Sequence, residues 1–327
     1  MDPESLVLRN TVETVTDAEF KEVLEGKKKP TVYCGFEVSG PVHVGTLIAL
    51  LKLKDFQDAG FNVKVLLADV HTRLNLKGSS DWIEEMIQYW QTCFKSMGLE
   101  NAEYVLGSSF QFREEYVRDV LELGLNSTLN RALRSMQEVA RDIENAVVSQ
   151  VIYPLMQIAD VKHLDVDVAY GGIEQRKIHM LAREILPSIG CRKPVCVHTP
   201  LLCGLKGPES KMSSSVPETM IMLHEDAESI KSKVNSAYCP KESEGNPVLE
   251  ICEYILFPHI GCLKIKRPDK YGGNVNYDSY ESLEKEYLGG TLHPADLKKT
   301  VGETLSEFLK PVREGLSEAG VEYREKY

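Results

Sequence analysis

The most constraining stretch lies near the start of the chain. From Pro30 the residues Thr31, Val32, Tyr33 and Phe36 form a β-branched and aromatic run that reads as a short strand. The run breaks at Ser39-Gly40-Pro41 and resumes as an apolar helix through Leu47-Ile48-Ala49-Leu50-Leu51, with His43-Val44-Gly45-Thr46 where the helix begins. A strand that turns through glycine into a helix is where an α/β protein seats a phosphate. The first helical N–H groups have no partner inside the helix and point at an anion. An imidazole at His43 can donate to a phosphate oxygen, and Gly45 lets a nucleotide pack against bare backbone. This pattern alone is common. It gains weight beside Lys211-Met212-Ser213-Ser214-Ser215, in a loop that also holds Gly204, Gly207 and Pro208. One cation and several hydroxyls can hold a triphosphate and stabilise the charge that develops on departing pyrophosphate. The glycines would let such a loop close and reopen.

The rest of the chain alternates strand and helix around this core. A capping box at Thr16-Asp17-Ala18-Glu19 predicts a helix ending near Gly26, and Lys27-Lys28-Lys29 predicts a solvated loop. Asn62 to Val70 reads as a buried strand. A helix led by Asp81 carries an apolar face of Ile83, Met86, Ile87, Trp90, Phe94 and Met97, the spacing of a core stripe. Glu103 to Gly107 reads as a third strand, Phe110 to about Gln150 as continuous helix, and strands return at Val166–Tyr170 and Val195–His198. The fold class expected is α/β: a doubly wound, Rossmann-like parallel sheet split by a helical insertion at about 110–150. Past Ser215 the segments 227–237, 247–256, 282–287 and 294–316 read as helices. The expected division is therefore a catalytic domain over 1–222 and a smaller α-helical domain over 223–327.

Composition narrows the function. A chain of 327 residues is comfortable for two domains, and no apolar run approaches the roughly 18 residues of a membrane helix. Nothing at Met1–Ser5 resembles a secretory signal, so a cytoplasmic protein is expected. The 8 cysteines form no Cys-x-x-Cys and sit in apolar context, as reduced buried thiols do. A formal charge of −11 excludes nonspecific coating of nucleic acid, so an RNA partner must meet a local patch. Lys264-Ile265-Lys266-Arg267-Pro268 is one such cluster.

The two motifs together resemble the signatures of class I aminoacyl-tRNA synthetases. Over nearly its whole length the chain is similar to the tyrosyl-tRNA synthetases of the archaeal and eukaryotic type. The matching segments are Tyr33–Glu37, Leu66–His71, Tyr153–Asp160, Gly171–His179 and Leu292–Lys298. The resemblance implies tyrosine activation by ATP, entering as its Mg²⁺ complex, followed by transfer to tRNA(Tyr). It implies a homodimer through the insertion, and neither a prosthetic group nor a resident metal. ATP would meet Gly40, His43, Gly45, Thr46, Lys211, Met212, Ser213, Ser214 and Ser215, with His43, Gly45, Lys211, Ser213 and Ser214 catalytic. Tyrosine would meet Tyr33, Gly35, Glu37, His71, Tyr153, Gln157, Asp160 and Gln175, with Tyr33 and Asp160 reading the phenolic hydroxyl. Tyr153, Gln157 and Asp160 are spaced by four and three, on one face of a helix. The acceptor end of tRNA would meet Arg131, Arg134, Arg176 and Lys177, and the anticodon Tyr271 and Asp296. An aromatic platform with a carboxylate on the base's donor edge suits single-stranded RNA.

Two places depart from the family pattern. The first motif ends in Thr46 where a second His or Asn is common, and Val216-Pro217-Glu218 stands where archaeal relatives usually place Lys-Gly-Asn. Both read as branch differences. The alternative they leave is a catalytically altered paralogue that acts as an RNA-binding or regulatory protein.

Overall fold

The structure, a computed structural model, describes residues 2–136, 147–212 and 216–325, with the backbone alone at Lys211 and Tyr271. Its frame is a six-stranded sheet of β1 (Glu13–Val15), β2 (Thr31–Phe36), β3 (Asn62–Leu67), β4 (Glu103–Leu106), β5 (Val168–Gly172) and β6 (Val195–Thr199). The spatial order is β1-β6-β5-β2-β3-β4. β2 to β6 are parallel, and β1 pairs antiparallel with β6 at the edge. The chain runs outward from β2 to β4, then returns to lay β5 on the other side of β2. The strand order thus reverses at β2 and β5, and a crevice opens beyond their carboxyl ends, the general ligand position of open α/β sheets. The doubly wound expectation holds.

Local chemistry explains the helices and where they stop. Thr16 and Glu19 close the expected capping box on α1 (Asp17–Gly26). α2 (Val44–Asp58) starts at His43. β3 is shorter than its apolar run: at Ala68 the carbonyl accepts from both the N–H and the hydroxyl of Thr72, at 2.8 Å each, which starts α3 (Asp69–Leu74). α4 (Ser80–Ser96) buries the stripe of Ile83, Met86, Trp90 and Phe94. The insertion is not one helix. α5 (Glu114–Leu125) ends at Asn126, and Thr128 caps α6 (Leu129–Ser135) by accepting from the N–H of Arg131 at 3.4 Å. The part of the expected helix over 137–146 lies outside the described residues. The chain continues through α7 (Val148–His163) and α8 (Arg176–Ile185). A short hairpin of β7 (Cys203–Gly204) and β8 (Gly207–Lys211) follows β6. Then come α9 (Ala227–Ser236), α10 (Pro294–Phe308) and α11 (Lys310–Ala319). The single helix expected over 294–316 parts at Leu309, because Pro311 has no N–H to continue it.

The buried strands β2 and β3 send alternate side chains to two cores, as a period of two requires. Val32, Cys34, Val65 and Leu67 join α2 and α4, and that core continues without a break into Ile230, Val234, Leu297 and Leu305 of the C-terminal helices. Tyr33 and Leu66 face the other side, under Tyr116, Leu123, Ile158 and Ile178. Lys27, expected in a solvated loop, instead pairs with buried Asp167 at 2.9 Å. None of the described helices is long and apolar enough to cross a membrane.

Candidate active site

A cavity of about 200 Å³ lies where β2 ends, between the sheet and α7. Tyr33, Gly35, Glu37, His71, Tyr153, Gln157, Asp160 and Gln175, the residues nominated for the amino acid, all line it. Its closed end has a specific polar asymmetry. Asp160 is fully buried, and its Oδ1 accepts from Gln111 Nε2 and from the Tyr116 hydroxyl, both at 2.8 Å. The Tyr116 hydroxyl is also 2.8 Å from the Met156 carbonyl, and its one proton belongs on the stronger acceptor, the carboxylate. Among the described residues Asp160 Oδ2 has no hydrogen-bond partner, and neither has His71 Nε2, 3.9 Å away. The second Gln111 N–H faces His71 Nδ1 at 3.4 Å, which assigns the imidazole proton to Nε2. One unpaired acceptor therefore faces one unpaired donor at the bottom of the cavity. A hydroxyl, which donates once and accepts readily, matches that pair; a hydrogen does not. Burial raises the pKa of the Asp160 carboxyl, and a donor to its free oxygen would favour the ionised form. Tyr33 adds a hydroxyl at the same end, 3.5 Å from the Gln157 carbonyl.

Nearer the mouth, Gln157 Nε2 donates to Gln175 Oε1 at 3.1 Å. Glu37 is held by Asn75 Nδ2 at 2.9 Å and by an ion pair with Lys77. Gly171 has a plain reason to be glycine. A Cβ there would meet Gln175 Cγ at 2.8 Å, so its absence lets Gln175 fold across the end of β5.

A second cavity of about 240 Å³ adjoins the first and shares Tyr33, Gly35, Gln157 and Gln175 with it. His43, Gly45, Thr46 and Met212 line its other wall; Gly40 is buried just behind the turn, its carbonyl accepting from Trp90 Nε1 at 2.9 Å. The His43 ring folds over the first turn of α2. A Cβ on Gly45 would sit 2.9 Å from that ring and 3.2 Å from Met212 Cβ. Burial pushes the His43 imidazole down to about 4, so it is neutral at pH 7, and its Nδ1 is buried without a partner among the described residues. The first motif is tied through backbone to the stretch that follows the second: Val44 N–H donates to the Ile221 carbonyl and Leu223 N–H to the Val42 carbonyl, each at 2.9 Å. Lys211, expected in a loop, ends β8. Ser213, Ser214 and Ser215 lie outside the described residues. Glu218, at the departure from the family pattern, pairs with Lys206 at 3.0 Å.

The residues expected to meet RNA lie in two regions, on α6 and α8 and in the C-terminal part of the chain. Arg131 pairs with Glu184, and Arg134 Nε donates to the Asn130 carbonyl at 3.3 Å. Arg176 makes a two-pronged pair with Glu13 at 2.7 and 2.8 Å, and Lys177 beside it is exposed. Asp296 lies in the first turn of α10, and the backbone of Tyr271 in a short turn over Asp269–Tyr271. In the basic cluster Arg267 is spent on structure, donating to the carbonyls of Gly273 at 2.8 Å and Thr291 at 2.9 Å. Gln111 and Tyr116 were not legible as site residues. They reach Asp160 from 49 and 44 positions away, and no local pattern marks them.

The chain matches the family described as tRNA synthetases class I (W and Y) over residues 25–310. It is 50% identical to the tyrosine–tRNA ligase of Methanopyrus kandleri, over 95% of this chain and 97% of that protein. It is likewise 50% identical to the tyrosine–tRNA ligase of Methanospirillum hungatei, over 97% of this chain and 100% of that protein. The crystal structure of the Archaeoglobus fulgidus tyrosyl-tRNA synthetase complexed with L-tyrosine superposes with a TM-score of 0.93 at 46% identity, covering 96% of this chain and 98% of that one. The chain therefore belongs to the class I tRNA synthetases of the tryptophan and tyrosine group, and within it to the tyrosyl-tRNA synthetases.

Proposed function

We propose that this protein is a tyrosine–tRNA ligase that joins L-tyrosine to tRNA(Tyr) in two steps. The observation that carries the reading is the pair of unpartnered atoms, Asp160 Oδ2 and His71 Nε2, at the closed end of the first cavity. Tyrosine enters with its ring toward Asp160, donating to Oδ2 and accepting from His71. Phenylalanine in the same place would leave both groups buried and unpaired, which is how a site rejects an analogue lacking a hydroxyl by factors on the order of 10⁴ to 10⁵. Tyr153, Gln157 and Gln175 hold the α-amino end, and the tyrosine carboxylate then faces the adjoining cavity.

ATP, as its Mg²⁺ complex, occupies that second cavity. The carboxylate attacks the α-phosphorus, and the bond to the bridging oxygen of pyrophosphate breaks, leaving tyrosyl-adenylate. Catalysis is positioning and charge stabilisation with no covalent enzyme intermediate. Neutral His43 donates one N–H to a phosphate oxygen, Gly45 and Thr46 present the start of α2, and Lys211 with Ser213, Ser214 and Ser215 stabilises the leaving pyrophosphate. A ribose hydroxyl of the terminal adenosine of tRNA then attacks the tyrosyl carbonyl and releases AMP. Arg131, Arg134, Arg176 and Lys177 would guide the acceptor end, with Arg131 and Arg176 exchanging their carboxylate partners for phosphate. Tyr271 and Asp296 would read the anticodon from the region 223–327, which serves as the anticodon domain beside a catalytic unit over 1–222.

The protein works as a homodimer in this reading. Support comes from the insertion, where Val117, Leu121 and Leu125 stand 44%, 68% and 81% exposed at four-residue spacing along α5. Such a stripe fits a second copy of the same helix better than water. The test of the whole reading is charging of a tRNA(Tyr) transcript with labelled tyrosine. Acid-stable, base-labile label on the RNA is the expected result; adenylate formation with no charging would leave an amino-acid activator and contradict the ligase.

A further inference from the structure

The start of α2 is held from behind by a chain of contacts that the reaction itself does not account for. Tyr89 of α4 is buried, and its hydroxyl accepts from the N–H of Val42 at 3.2 Å and lies 2.7 Å from His224 Nδ1. With its proton on His224 and a lone pair on Val42, this hydroxyl satisfies the buried N–H one residue before His43. One residue along α4, Trp90 Nε1 holds the carbonyl of Gly40 at 2.9 Å. His224 in turn follows the segment whose backbone pairs with the turn, through Val42 to Leu223 and Val44 to Ile221. Displacing His224 therefore loads the turn twice, through Tyr89 and through that pairing.

What covers this chain is the segment 321–325, which follows α11. The Tyr323 ring lies 5.3 Å from Tyr89 and 5.2 Å from His224, tilted 30° from the imidazole plane. Two further contacts lay the segment along α4: Trp82 Nε1 donates to the Arg324 carbonyl at 3.0 Å, and Arg324 pairs with Glu85 at 2.9 Å. The far side of the 220–225 stretch is tied to C-terminal helices as well. Lys233 of α9 donates to the Met220 carbonyl at 3.1 Å, and Arg313 of α11 to the Glu225 carbonyl at 3.3 Å.

We propose that Tyr323, His224 and Tyr89 are positioning residues for the nucleotide, forming a relay by which the segment after α11 fixes the backbone of Val42–Val44 at the ATP site. None of the three lines either cavity among the described residues. Their effect is on the shape of the turn, and so on ATP rather than on tyrosine. The proposal rests on the reading that the second cavity holds ATP.

The test is ATP–pyrophosphate exchange with the full chain, with KM measured separately for ATP and for tyrosine. Tyr89→Phe, which strands the Val42 N–H, is expected to raise KM for ATP about tenfold. Tyr323→Leu is expected to raise it about threefold, and Tyr323→Phe, which keeps the ring on His224, to restore the wild-type value. KM for tyrosine stays within about twofold throughout. An unchanged KM for ATP in both Tyr89→Phe and Tyr323→Leu overturns the relay, as does a parallel rise in both KM values, the mark of general loosening. If the wild-type chain shows no tyrosine-dependent exchange, the functional reading falls and takes the relay with it. If the wild type exchanges and the variants match it, only the relay falls.

Discussion

Asp160 shows how a single residue can trade stability for recognition. Its carboxyl is fully buried, two donors converge on one oxygen, and the other oxygen is left facing a cavity. Because burial raises its pKa, the ionised form is disfavoured in the folded state relative to the unfolded chain. Asp160→Asn keeps an oxygen for Gln111 and Tyr116 and removes the charge. Chemical denaturation at pH 7 should show it more stable by about 1 kcal/mol, while preference for tyrosine over phenylalanine in adenylate formation falls about a hundredfold or more. A less stable variant that still discriminates would contradict this account. Tyr116→Phe removes one of the two donors that aim the carboxylate and should cost about tenfold in the same preference, with ATP binding unchanged. Tyr33 and Asp160 were legible because they sit inside motifs; Gln111 and Tyr116 were not, because only the packing of α5 over α7 carries them to the site. Side-chain chemistry names which groups can pair, and tertiary structure decides which do.

Among elements, α5 carries two opposed faces. Tyr116, Val120 and Leu123 are buried, with Tyr116 against Met156, Asp160 and His163 of α7, and Val117, Leu121 and Leu125 are exposed. Leu121→Glu should leave each protomer folded and shift sedimentation from dimer to monomer at micromolar concentration. A wild-type chain that sediments as a monomer would contradict the dimer. The same region shows what periodicity can and cannot reveal. The core stripe of α4 was readable because seventeen residues repeat one pattern. The end of α5 was not, since Asn126, Ser127 and Thr128 interrupt the helix by capping rather than by a proline or a glycine. Edge strand β1 spans three half-buried residues, too few for an alternation to register, and it exists because β6 offers its ladder. Leu309 marks the opposite case, a boundary that Pro311 signals in the sequence but that an apolar repeat running across it conceals.

At the scale of the whole molecule, buried neutral histidines set the response to acid. Burial lowers His43 from 6.5 to about 4, and burial with the His198 ring at 3.0 Å lowers His179 from 6.5 to about 3. Below pH 6.5 the unfolded chain takes up protons that the folded chain refuses, so stability falls as pH drops from 6.5 toward 4, and these groups contribute no slope above 6.5. Fully buried His179 alone accounts for about 1.4 kcal/mol per pH unit in that window. A denaturation midpoint that is flat between pH 6.5 and 4.5 would refute this. For exchange, His43 is already neutral at pH 6, so its protonation imposes no loss of rate between pH 6 and 8. The claim on which the rest depends is that the first cavity selects a phenolic hydroxyl and delivers the carboxylate to ATP. ATP–pyrophosphate exchange with each standard amino acid in turn, without tRNA, tests it most directly. Exchange with tyrosine alone is the predicted result; equal exchange with phenylalanine, or none with any amino acid, would contradict the assignment of Asp160 and His71 and the function built on them.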